Sequence, residues 1–334
     1  MHKLAHQYVD RETQLIRTER LFQDRMIRFL YSSARESAPA LFRALTSSRA
    51  SKLLGYVNYD LPLGAKLAGS RRFMKKLGVD LSECLDPLNK LNTPRKVFER
   101  KIRYWDCRPM LADGRVVVSP ADARVLVGSF IDTHSIPAKD KFFRYEELLG
   151  VDKHEWLAAF DGGDFAIFRL TPDKYHWNHT PVSGVVVDIY EVDGTYHSCN
   201  PQAVVAVATP YSKNKRVVTI IDTDVPGGTG VGRVAMIEVV ALMIGHIDQR
   251  YCEEHYDFPQ LVEPGLFLRR GQPKSLYRPG SSTDILIFQR GRINFADDLL
   301  RNMNLPIESR FSRGFGRSLA ETDIRVRSYL AHRA

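Results

Sequence analysis

Val217-Val218-Thr219-Ile220-Ile221, the break Gly227-Gly228-Thr229-Gly230-Val231-Gly232, and then Val234-Ala235-Met236-Ile237-Glu238-Val239-Val240 decide the fold class. β-branched runs separated by glycine read as strands joined by a loop. The loop lacks the lysine of a P-loop and is not a full GxGxxG opening a helix, so it reads as a flexible connection rather than a phosphate cradle. Working outward, Val116-Val117-Val118, Ala123 to Val127, Val185-Val186-Val187, Val204 to Val207 and Ile285-Leu286-Ile287-Phe288 repeat the pattern. Short strands in series with turn residues between them predict an antiparallel β domain. Lys141 to Leu149 reads as a short helix between strands, and the arginine-rich tail after Phe295 reads as helical.

The first 94 residues read differently. Leu15, Ile16, Leu21, Phe22, Met26, Ile27, Phe29 and Leu30 recur at helical spacing, interleaved with Arg17, Arg20, Arg25 and Arg28. Leu41, Phe42, Leu45, Leu53 and Leu54 form a second such stretch, and Phe73, Met74 and Leu77 with Arg71, Arg72, Lys75 and Lys76 a third. Apolar faces with basic flanks suit a membrane surface, where each basic side chain near anionic lipid contributes about 1 kcal/mol. A helical cap packed on the main domain has the same spacing. The expected class is therefore α+β: a helical region over 1–94 and a β-rich antiparallel domain over 95–334.

A chain of 334 residues that is 44% hydrophobic affords a sizeable core, and its net charge of +9 favours an anionic partner. Cys84, Cys107, Cys199 and Cys252 form no CxxC pair, so neither a zinc pattern nor a disulfide framework is read from them. Met1 to Gln7 has no apolar core of signal-peptide length, and no run of about 18 apolar residues occurs. The reading is a cytoplasmic protein that meets a membrane, if at all, at its surface.

Three distant segments supply a serine, a histidine and an aspartate, the components of an activated nucleophile. They are Gly280-Ser281-Ser282-Thr283, Tyr175-His176-Trp177-Asn178-His179-Thr180-Pro181 and Ser119-Pro120-Ala121-Asp122. His176 and His179 have the spacing of metal ligands on a helix, but Pro172 and Pro181 bracket them and no acidic ligand sits at a recognisable spacing, so no metal is expected. Asp122 taken alone is a turn aspartate accepting a backbone bond.

Together these segments resemble the phosphatidylserine decarboxylase family of pyruvoyl enzymes, over roughly residues 95 to 290. Phe98-Glu99-Arg100-Lys101 with Arg108-Pro109, Val118-Ser119-Pro120-Ala121-Asp122, Lys141 through Leu149-Gly150, and Leu170 to Pro181 with Gly184 follow that family's order. Asn214-Lys215-Arg216 and Val234 to Val239 also fit. Ala123 stands where the family has glycine, Trp177 where arginine is usual, and Pro279 and Asp284 where apolar residues are usual.

The resemblance implies a chain made as an inactive precursor. A serine hydroxyl attacks the carbonyl of the preceding residue, the peptide becomes an ester, and elimination breaks the chain. The new N-terminus becomes a covalent pyruvoyl group, an electron sink for decarboxylation. By resemblance His179 is the general base of self-cleavage, Asp122 orients and supports it, and His176 serves the substrate; the two histidines are exchangeable in this assignment. Read from Tyr277-Arg278-Pro279-Gly280, the nucleophile and pyruvoyl precursor is Ser281. Read back from Thr283 and the apolar run, it is Ser282. Ser281 is favoured because glycine at the attacked carbonyl permits the required geometry.

Cleavage between Gly280 and Ser281 divides the domain into 95–280 and 281–334, and the 54-residue small chain stays associated by contributing a strand to the shared sheet. The implied substrate is phosphatidylserine on an anionic membrane surface, giving phosphatidylethanolamine and carbon dioxide, with a homodimer expected by analogy and no nucleic acid. Decarboxylation of a soluble aromatic amino acid, or a non-cleaving lipid-binding relative, are the competing readings.

Overall fold

The computed structural model describes residues 5–21, 74–75, 77–131, 142–207, 209–241, 246–279 and 282–334. In chain order the strands begin with β1 (Gln7–Asp10), β2 (Ile16–Thr18), β3 (Val116–Val118), β4 (Ala123–Ser129), β5 (Asp164–Leu170) and β6 (Trp177–His179). They continue with β7 (Gly184–Val192), β8 (Arg216–Asp222), β9 (Arg233–Val240), β10 (Ile247–Gln249) and β11 (Phe267–Leu268). The last are β12 (Pro273–Tyr277), β13 (Ser282–Phe288), β14 (Ile293–Phe295), β15 (Glu321–Ile324) and β16 (Tyr329–Arg333).

Ten strands form one sheet in the order β11-β7-β8-β9-β13-β5-β4-β15-β1-β2. Its neighbours are antiparallel except β1 and β15. Two three-stranded sheets, β10-β12-β6 and β14-β16-β3, complete the strand layers.

The near-continuous apolar runs follow from burial on both faces, which removes the polar alternation of a half-wet sheet. All seven residues of β13 are buried. Leu286 and Phe288 pack in one core with Phe168, Leu170, Met236 and Val240. Ile285 and Ile287 face the opposite core with Ile167, Ile237, Val239 and Cys199. Ser282 and Asp284 fall in phase with Leu286 and Phe288, so they belong to the first face, the one on which Tyr277 packs.

Three expectations change. Val204 to Val207 is no strand: residues Pro201–Ala206 form a helix, because Asn200 caps the Gln202 N–H at 2.9 Å and Pro201 is pre-set for the first turn. Leu15 and Ile16 are not helical. The Asp10 carboxylate accepts the Glu12 and Thr13 N–H groups, both at 3.1 Å, and turns β1 back into β2 at the edge of the large sheet. The tail after Phe295 is helical only at Asp297–Met303 and Arg310–Phe315; Glu321–Ile324 and Tyr329–Arg333 are strands, with Leu330 and Ala331 buried against the first core. The expected helix at the end of Lys141 to Leu149 is present as Tyr145–Leu149. The basic stretches around Met26 and Leu45, and residues 71–73, lie outside the described residues, as do Gly280 and Ser281; of the third stretch Met74, Lys75 and Leu77 are helical, with Met74 buried.

Candidate active site

The β6–β12 pairing assembles the site. Leu276 lies opposite Trp177, and the Tyr277 N–H donates to the His176 carbonyl at 3.1 Å. The histidine segment is thereby fixed beside the end of β12, from which the chain runs through Gly280-Ser281 into β13. At its other end the His179 N–H donates to the Pro120 carbonyl at 2.7 Å, which joins the Asp122 turn to the same assembly. The histidine and aspartate segments meet here, and Tyr277 links them to Thr283 at the start of β13 through its hydroxyl, 3.0 Å from the Thr283 carbonyl.

The buried His179 ring is held by a carbonyl. Nδ1 lies 2.8 Å from the Gly271 oxygen, which can only accept, so Nδ1 carries the proton and Nε2 is the basic nitrogen. Gly271 has φ +75°, and a Cβ there would stand 2.5 Å from Met110 Sδ, so glycine is required to present that carbonyl. Nε2 meets the Tyr175 hydroxyl at 3.0 Å, Tyr175 meets the Tyr256 hydroxyl at 2.7 Å, and Tyr256 donates to the Ile102 carbonyl at 2.9 Å. Three contacts share two hydroxyl protons. A proton arriving at His179 Nε2 completes the chain, with each member donating to the next. Burial holds the imidazole neutral by pushing its pKa down to about 3.

His176 differs. Its ring stacks on Phe98 with centroids 3.6 Å apart, and Nδ1 lies 2.8 Å from the Lys174 carbonyl. Nε2 is buried without a partner, a free proton acceptor. Burial, with the nearby Arg100 charge, brings its pKa to about 3.

Asp122 is gripped by Arg108, with Nε 3.0 Å from Oδ1 and a terminal nitrogen 2.7 Å from Oδ2; Oδ1 also accepts the Val326 N–H at 2.8 Å. Burial works against the carboxylate, but these donors hold its pKa at about 2. Both oxygens are spoken for, and neither bonds the His179 ring. Asp122 therefore anchors the turn whose Pro120 carbonyl fixes the His179 backbone, while Gly271 orients the imidazole.

Ser282 opens β13 opposite Leu170 and Val240, and its Oγ is buried without a partner. Asp284 lies directly opposite Glu238. Glu238 accepts from Lys274 at 2.8 Å, Gln249 at 2.7 Å, Asn178 at 3.0 Å and Ser275. Burial opposes its charge, but these partners win and keep its pKa below the usual carboxylate value. His176 Nε2, Asn178 Oδ1, Ser282 Oγ and Asp284 Oδ2 are all buried and unpartnered. Such a concentration is costly unless function uses it.

Tyr256, Gly271, Lys274 and the bonds of Tyr175 and Asn178 are not legible in the sequence. One signal was visible: Glu238 is a lone acid inside an apolar run, and a buried acid needs a partner.

A family model described as phosphatidylserine decarboxylase matches residues 95–310. The chain belongs to the phosphatidylserine decarboxylase family. Similar members are the phosphatidylserine decarboxylase proenzymes of Clostridium tetani, 26% identical across 91% of this chain and 94% of the relative, and of Chlamydia trachomatis, 29% identical across 92% and 95%. A rice member, phosphatidylserine decarboxylase proenzyme 2, is 32% identical across 71% of this chain and 35% of its own length. The family match covers every residue of the site built above except Val326.

Proposed function

We propose that this chain is a self-processing carboxy-lyase that converts phosphatidylserine to phosphatidylethanolamine and carbon dioxide. The observation that carries this reading is the family match over a site in which a histidine proton acceptor and a concentration of unpartnered buried polar atoms lie on the strands that flank the processing loop. His179 is the general base of self-cleavage: its Nε2 opens onto the Tyr175–Tyr256 chain that a transferred proton would complete. Asp122 supports it through the turn. His176, with a free Nε2, serves the substrate.

In self-cleavage the serine oxygen adds to the preceding carbonyl carbon, the C–N bond breaks, and the freed amine takes the proton. Loss of the serine Cα proton then expels the ester carboxylate, and water releases ammonia from the resulting enamine. The pyruvoyl group so formed supplies an electron sink for decarboxylation. Ser281 is the proposed nucleophile, since Gly280 lies at the attacked carbonyl. The unpartnered Oγ of Ser282 favours the second reading, cleavage between Ser281 and Ser282. Intact mass of each fragment decides, because the small chains differ by one residue, and alanine at the true nucleophile abolishes cleavage.

We also place the enzyme peripherally, on the cytoplasmic face of the membrane that holds its substrate. Among the described residues no helix is long and apolar enough to cross a membrane. Tyr251 and Gln260 close a loop by mutual backbone bonds of 2.9 and 2.7 Å. Its Tyr256 points inward to the His179 chain, while Phe258 is 91% exposed at φ +47° and Leu261 is 67% exposed. An aromatic residue held in the left-handed region and in water is an expense that lipid contact would repay. Glu253, Glu254 and Asp257 lie on the same loop, so its contribution is apolar insertion rather than charge attraction. Phe258→Asp with Leu261→Asp should weaken flotation with phosphatidylcholine vesicles about tenfold, with little dependence on salt. Unchanged flotation would remove this loop from the membrane contact.

A further inference from the structure

Asp284 stands third in β13, fully buried, and has no role in the reading above. We propose that Tyr277 and Asp284 form a clamp across the two ends of the processing loop, positioning the scissile bond for self-cleavage, and that the clamp works with Asp284 as the neutral acid. The proposal rests on the self-processing reading.

The geometry is local. Tyr277 ends β12 and Asp284 lies just inside β13, so residues 278–283 connect them. The Tyr277 hydroxyl lies 2.7 Å from Asp284 Oδ1 and 3.0 Å from the Thr283 carbonyl. Its backbone N–H is bonded to the His176 carbonyl. One residue thus ties the start of the loop, the end of the loop and the histidine segment together.

Proton counting gives the charge state. The hydroxyl has one proton and two oxygens within reach. If Asp284 is the acid, its O–H donates to Tyr277, whose own proton goes to the Thr283 carbonyl, and both contacts are satisfied. As a carboxylate, Asp284 would compete with Thr283 for a single proton while its buried Oδ2 had no donor. The ionisable groups packed around it give no relief. On β9 the facing group is Glu238, and on β12 they are Tyr277 and Lys274, whose ammonium is already committed to Glu238 and Gln249 at 2.8 and 2.7 Å. On β5 the facing residue is the apolar Phe168. Burial first, then the Glu238 charge, push the Asp284 carboxyl well above its ordinary range. After scission Tyr277 belongs to the large chain and Asp284 to the small one, so the clamp persists as a bond between chains.

The test uses full-length chains made by pulsed cell-free synthesis, with cleavage followed by intact mass across pH. In the native sequence cleavage should slow as pH rises through the Asp284 pKa. Asp284→Asn keeps a donor that does not titrate, so it should cleave within about threefold of native and lose the alkaline decline. Below the Asp284 pKa, Asp284→Leu and Tyr277→Phe should cleave about tenfold more slowly than native, the gap narrowing as pH rises through it.

A second readout stands apart from cleavage. In a Ser281→Ala/Ser282→Ala background, compared above pH 6.5 where the contribution of His176 and His179 is complete, thermal stability should fall more steeply with rising pH when Asp284 is present than once Asp284→Asn is added. Asp284 folds with a raised pKa, so its contribution is complete below the unfolded value of 3.8 and is lost as pH rises through the folded value. Native-rate cleavage by Asp284→Leu and Tyr277→Phe below the Asp284 pKa, or an alkaline decline that survives Asp284→Asn, overturns the clamp. If the native chain stays whole at every pH, the self-processing reading falls and the clamp's processing role with it, whatever the stability profile.

Discussion

Among the described residues, two of the buried charge clusters are finished to different standards. In the first, at the edge of the large sheet, Arg169 bonds Glu19 at 2.5 and 3.0 Å and Glu321 at 2.6 and 2.9 Å. His6 Nε2 lies 2.7 Å from Glu321, and its Nδ1 accepts the Arg310 N–H at 3.2 Å. Every polar side-chain atom of these four residues is engaged. Burial would raise Glu321, but the Arg169 charge and the His6 bond hold its pKa at about 2. His6, Glu19 and Glu321 are close enough to suggest a metal site, yet the guanidinium already fills their centre. The second cluster, around β6, β12 and the start of β13, leaves four buried atoms unpartnered. A satisfied network specifies structure, whereas an unsatisfied one holds capacity for chemistry.

Exchanging the roles experimentally gives the largest contrast. His179→Asn removes the basic nitrogen from the unsatisfied cluster and should slow self-cleavage about 10²- to 10⁴-fold, with the precursor still folded; this is read by mass spectrometry and circular dichroism. Glu321→Leu takes one of the two carboxylates from Arg169 and the partner of His6 Nε2 from the satisfied cluster, and should destabilise the fold by about 3–5 kcal/mol in denaturant unfolding. Adding Arg169→Leu together with Glu19→Leu should return part of that loss, because neither the guanidinium nor its second carboxylate is then left unpaired. Cleavage lost in a well-folded Glu321→Leu protein would erase the distinction between the clusters.

Acid provides a gentler probe. His176 and His179 titrate near 6.5 when unfolded and about 3 when folded, so the folded state binds fewer protons. Their contribution to stability is present above pH 6.5 and is lost as pH falls toward 3. Thermal midpoints should decline across that window, and His176→Asn should flatten the decline by removing one of the two groups. Asp122 and Glu321, ordinarily at 3.8 and 4.5 but about 2 here, extend the loss below pH 4.5.

The satisfied cluster was also the less legible of the two. Arg169, Glu321, His6 and Glu19 come from four separate strands or their flanks, and nothing in their local sequence announces one another. The β1–β2 hairpin carrying two of them was read as helix, because Leu15, Ile16 and Leu21 have helical spacing. The Asp10 turn and a parallel pairing with β15, more than 300 residues away, override that spacing. The active segments were easier. His176, His179 and Asp122 lie in short motifs beside proline and turn residues, which constrain the backbone locally. What the motifs omit is what tertiary packing adds: the Gly271 carbonyl on His179, and Tyr256 reaching in from a loop whose residues 257–261 are exposed. Val204 to Val207 misled for a simpler reason, since valine favours strands until an Asn-Pro cap and a buried face impose a helix.

Intact mass of the purified full-length protein tests the central claim most directly. Two fragments are expected: a large chain, and a small chain beginning at Ser281, or at Ser282 in the second reading, that carries an N-terminal pyruvoyl group and remains bound to it. A single uncleaved chain at the full mass, with no pyruvoyl group, would contradict self-processing.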